Sequence, residues 1–152
     1  MRSVCTPTLL GFALLLSGCD RAGPPVRYIL PAGFRGVFQI SVDSEHGSEL
    51  VKSNGMLLVV VPADGKVVVQ DDSFLTRGHS ETAVYPDGSM VSEAFDTNIV
   101  ALRDVGNDLQ HHSWLLVGTD REFRIATSLT TSTHAMPLAR RLTDADVPNY
   151  GR

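Results

Sequence analysis

From Val26 onward, short apolar runs alternate with clusters of turn residues. Gly36–Val42 reads as a strand of period two, with Phe38, Ile40 and Val42 on one face and Val37, Gln39 and Ser41 on the other. Leu50–Ser53 and Met56–Val61 flank Asn54-Gly55, a pair that favours the two positive φ angles of a type I′ hairpin. Three further pairs of runs suggest hairpins: across Pro62–Gly65, across Pro86–Ser89 and across Asp104–Asn107. Met56–Val61 and Val67–Val69 do not alternate, and so predict strands buried on both faces in the middle of a sandwich. Thr119-Asp120-Arg121-Glu122 has the form of a capping box, with acids where a helix dipole favours them, and predicts one short helix over about 120–128. The expected fold is mainly β: a small antiparallel β-sandwich or barrel-like meander with that one helix.

The residues before Val26 follow another pattern. Arg2 supplies positive charge, Leu9 to Leu16 is apolar apart from Gly11, and Leu16-Ser17-Gly18-Cys19 is followed at once by Asp20-Arg21. This is the layout of a secretory leader, and its ending resembles the lipobox of bacterial lipoproteins. That resemblance implies a diacylglyceryl thioether on Cys19 and cleavage before it. An uncleaved spanning helix is the competing reading, but it needs about 20 apolar residues, more than this run contains. Acyl chains bury about 0.8 kcal/mol per CH₂, and two or three on one cysteine hold a protein durably. The expected organisation is therefore a signal peptide over 1–18, a lipidated cysteine and Gly/Pro-rich tether over 19–25, a β-rich domain over 26–128 and a polar C-terminal tail over 129–152. In the tail a helical turn is expected near 139–142, with disorder beyond. Asp20 next to Cys19 resembles the inner-membrane retention signal of enterobacterial lipoproteins; inner versus outer membrane stays open.

Composition removes several function classes. Loss of Cys5 with the leader and lipidation of Cys19 leave no pair for a disulfide, so packing alone must hold the fold. Seventeen acidic residues face thirteen basic ones, with no basic stripe that would suggest nucleic acid. Chemistry is sparse. The five histidines, His46, His79, His111, His112 and His134, match no ligand spacing, and no thiolate accompanies them. His79 and Glu81, two apart on a strand, share one face and are the only weak metal candidates. No Gly-x-Ser-x-Gly, calcium loop or phosphate loop occurs. Trp114 lies in an apolar run and reads as core; Arg140-Arg141 reads as part of a solvated tail, with anionic headgroups the alternative.

One resemblance covers much of the chain. Tyr28–Gly36 (YILPAGFRG), Val61-Pro62-Ala63-Asp64-Gly65, and Val117-Gly118-Thr119 with Glu122-Phe123 are together similar to an uncharacterised family of small bacterial extracytoplasmic domains. The resemblance implies a β-rich domain and carries no catalytic residue across. Independently of it, Pro31 should end a strand and Phe34 should fold back to plug the sandwich end. The expectation is a membrane-anchored envelope lipoprotein, non-enzymatic and without a cofactor. Its partners would be the bilayer, through acylated Cys19, and a protein of the envelope. Two alternatives follow from other residues: a small metal-binding or hydrolytic enzyme using His79 and Glu81, or a carbohydrate- or peptidoglycan-contacting module built on Trp114 and Phe34.

Overall fold

A computed structural model describes residues 23–76, 78–92, 99–108, 112–131 and 135–148. The strands are β1 (Val26–Ile29), β2 (Gly36–Val42), β3 (Val51–Ser53), β4 (Met56–Val60), β5 (Lys66–Val69), β6 (Glu81–Val84), β7 (Met90–Ser92), β8 (Ala101–Asn107) and β9 (Ser113–Gly118). Among the described residues there are also one helix, α1 (Asp120–Thr130), and a 3₁₀ turn at Asp144–Asp146. Two sheets form, ordered β3-β4-β1-β6-β7 and β5-β2-β9-β8, and they are not closed into a barrel. Tyr28, Leu30 and Val59 from the first sheet meet Phe38, Ile40, Leu115 and Val117 from the second in one buried cluster.

The fold is mainly β with one short helix, as expected, but the sheets are mixed. β1 runs parallel to both its neighbours, β4 and β6, and β2 runs parallel to β5. The Asn54-Gly55 hairpin forms as read, with φ of 49° and 80° at the two turn residues. The hairpin across Pro86–Ser89 forms too. Pro62–Gly65 does not make a hairpin. β4 stays in the first sheet, and the chain crosses to pair β5 with β2 in the second. Turn residues specify a change of direction, not which sheet receives the next strand.

Asp104–Asn107 is not a turn either. β8 runs through it, and a bulge at Val105 is accommodated by Gly106 at φ 132°, whose amide is held by Asp104 Oδ1 at 2.9 Å. β8 and β9 pair antiparallel as expected, with the connection displaced to residues after Asn107.

Burial on both faces falls on different strands from those predicted. β5 alternates, with Val67 and Val69 inward and Val68 outward, and Val60 of β4 is 65% exposed. The doubly buried strands are β2 and β9, because α1 covers the outer face of their sheet. Ile125, Ala126 and Leu129 of the helix pack on Val37, Val105 and Leu116. Each valine, leucine or isoleucine side chain so buried contributes about 1.5–3 kcal/mol. α1 begins at the expected capping box: Thr119 Oγ1 accepts from the Glu122 amide, and the Glu122 carboxylate accepts from the Thr119 amide at 2.8 Å.

Past the helix, the segment expected as a tail is in part packed. Leu138 bridges to Val37 and Leu142 is buried beneath α1; the regular turn is at 144–146 instead of 139–142. Among the described residues no helix is long and apolar enough to cross a membrane.

Candidate functional site at the arginine-lined end of the sandwich

Because β1, β4 and β6 are parallel and in register, their C-terminal ends lie together. The turns that leave them, Pro31–Arg35, Pro62–Gly65 and Tyr85–Gly88, therefore gather at one end of the sandwich. β2 begins at that end and β9 finishes there, which brings in Gly118 and the start of α1. Cross-contacts tie the end together. Tyr85 Oη donates to the Phe34 carbonyl at 2.8 Å, the Gln39 amide to the Gly65 carbonyl at 2.8 Å, and the Ala139 amide to the Val37 carbonyl at 2.8 Å. Phe34 is buried against Phe38, edge-on, as the expected plug.

Glu122 is the organising residue. It is 3% exposed, and its carboxylate accepts from Arg35 Nη2 at 2.9 Å, Arg141 Nε at 3.2 Å, and the Thr119 amide and hydroxyl at 2.8 and 2.9 Å. Burial pushes the carboxyl pKa up, but hydrogen bonds from Thr119, Arg141 and Arg35 outweigh it and hold it below the usual glutamate value. Beside it, Arg140 grips Asp146 through two nitrogens, and this charge-assisted pair lowers the Asp146 pKa to about 2. Pro31, Ala32, Arg35, Ala63, Arg140 and Arg141 line a cleft of ≈ 420 Å³ over these ion pairs. A second hollow, ≈ 350 Å³, continues past Gly33 to Tyr85 and Pro86.

His79 and Glu81 do meet. Their Nε2 and Oε1 atoms are 2.9 Å apart, and Tyr28 Oη donates to the same carboxylate oxygen at 2.8 Å. One oxygen thus already serves two neighbours. Among the described residues, no three His, Cys, Asp or Glu side chains lie together as a metal site. His46 lies beside Asp43 and His112 beside Asp108, two separate loop contacts. Trp114 packs at the margin of the helix cluster and Phe34 lies between the sheets, so they share no surface. His111, His134, Cys19 and the lipobox residues Leu16, Ser17 and Gly18 lie outside the described residues.

Sequence reading flagged Pro31–Gly36, Pro62–Gly65 and Gly118–Glu122 separately and missed that they form one place. The available signal was their shared type, Gly/Pro turns following apolar strands. What hid the site is distance along the chain: Arg35 and Glu122 are 87 residues apart, and Arg141 a further 19.

No protein-family model matches the chain. No curated protein matches it either. Among solved structures it is similar to a "putative lipoprotein" from Bacillus anthracis, at 15% identity and a TM-score of 0.41, over 62% of this chain and 70% of that one. At that similarity the match decides neither fold family nor function.

Proposed function

We propose that this chain is a lipid-anchored domain of the bacterial cell envelope, attached through Cys19, whose role is binding, not catalysis. The observation that carries the reading is the apolar run ending in Leu16-Ser17-Gly18-Cys19 and giving way at once to a short polar tether. The fold is compatible with it. The Gly23 amide donates to the Gly78 carbonyl and the Val26 amide to the Ser80 carbonyl, each at 2.9 Å, so the folded domain starts four residues after Cys19. Four residues reach at most about 14 Å, which keeps the start of β1 close to the lipid surface. The arginine-lined cleft lies past the far end of β1, eight residues on from Gly23, or about 25 Å away along extended chain. Anchored in this way, the domain turns its cleft away from the bilayer. A binding role accords with a cleft whose ionisable groups are held in ion pairs.

The test is Cys19→Ala in the native host, followed by labelled fatty-acid incorporation and detergent-phase partitioning. Label and partitioning should both be lost in Cys19→Ala and kept in Cys5→Ala. Equal labelling of wild type and Cys19→Ala would overturn the anchor.

A further inference from the structure

We infer that the cleft formed by Arg35, Arg140 and Arg141 is a receptor for the carboxylate end of a peptide with small side chains. The inference rests on the binding reading of the domain and is independent of the lipid anchor.

The first argument is charge. One guanidinium is enough to neutralise the buried Glu122 carboxylate, yet two converge on it, Arg35 at 2.9 Å and Arg141 at 3.2 Å. Arg140 is matched by Asp146. Within this group of five, three cations stand against two anions, an excess of one positive charge at the cleft wall; Asp87 lines the adjoining hollow. A carboxylate brings that charge to zero. A phosphate dianion would overshoot it.

The second argument is unspent donors. Arg141 uses Nε on Glu122, and its head is 68% exposed; among the described residues its two terminal nitrogens donate to nothing. Arg35 gives Nη2 to Glu122 and its Nε is buried, so the open donors at the cleft are those of Arg141. Glu122 is itself saturated by four donors, so it acts as a positioning residue that holds two guanidinium planes at the cleft wall. Guanidinium edges held in this way suit the two oxygens of a carboxylate.

The third argument is the lining. Between the arginines the wall is Pro31, Ala32, Ala63 and Ala139, small and apolar; the aromatic residue of this lining, Phe34, is turned into the core, and the half-buried Tyr85 belongs to the adjoining hollow. Such a wall accepts methyl-sized side chains.

The experiment uses the full-length protein in detergent micelles and follows the backbone amide signals of Gly33, Gly65 and Ala139 during titration. The probes are N-acetyl-alanyl-alanine, its C-terminal amide and inorganic phosphate. The dipeptide acid should shift these amides saturably in the millimolar range or below, while the amide and phosphate should not. Arg141→Gln and Arg35→Gln should each weaken binding about tenfold or more, the usual size of a lost charge-assisted hydrogen bond. Arg124→Gln, on the exposed side of α1, should bind as wild type. Arg35→Gln could unfold the site, but Arg141 is mostly solvated, so its variant keeps the test decisive. Equal shifts from acid and amide, tighter binding of phosphate, or unchanged binding by a folded Arg141→Gln would each overturn the inference. Loss of lipid labelling in Cys19→Ala leaves this titration unaffected, so the two readings can fail separately.

Discussion

Gly36 shows most directly how one residue holds the site end together. It opens β2 at φ 118°, and a Cβ there would be driven into the backbone of Arg140. Absence of a side chain is what lets the C-terminal segment lie against β2 and bring Arg140 and Arg141 to the cleft. Gly33 has the same unusual sign of φ, 68°, but open space around it. The two positions separate backbone strain from close approach. Gly33→Ala should cost about 1–2 kcal/mol, the left-handed penalty alone. Gly36→Ala should cost about 3 kcal/mol or more, because strain and displacement of Arg140 combine. Urea unfolding of both variants measures the difference, and equal losses would contradict the close packing at Gly36.

Among the elements, α1 and the segment after it decide which strands are covered. Leu142 is buried with Leu129, Ile125 and Leu116. Leu142→Ala should therefore destabilise the fold by about 2–3 kcal/mol, read from the thermal or urea midpoint. A disordered tail would give no change.

This element also marks where sequence reading succeeds and where it stops. The Asn54-Gly55 turn, the Thr119–Glu122 cap and the Phe38/Ile40 inward face were legible because each depends on residues within a few positions. Val37 was not: its burial comes from a helix some 85 residues later, which no local period encodes. Parallel pairing was hidden for the same reason. Val26 opposes Leu57 on one side and Glu81 on the other, and nothing in either run names its partner. The arginine cleft inherits this opacity, since its residues come together only once the parallel order is set.

At the scale of the whole molecule, β1 separates the end of the sandwich at Gly23 from the cleft. Under the proposed anchor the two ends should differ in their distance from lipid. In nanodiscs carrying a paramagnetic headgroup, amides of Gly23, Gly55, Gly78 and Ser80 should relax faster than those of Gly33, Gly88 and Ala139. The reverse order would mean that the cleft faces the bilayer, and that Arg140 and Arg141 meet headgroups after all.

Under the same proposal the position of β1 would bear on export as well. The partners of Val26 on its two neighbours, Leu57 and Glu81, lie 31 and 55 residues downstream, and the outer face of β2 is closed only by residues up to Leu142. Contacts between such distant residues form late, because long loops must close first. If the chain were exported N-terminus first, as the proposed anchor implies, the strand that emerges first would have no neighbour until Val60 had followed, and none on its second side until Val84 had. Under that proposal the central strand would be enclosed on both sides only after its second neighbour had followed, and the chain would pass in an extended state until then.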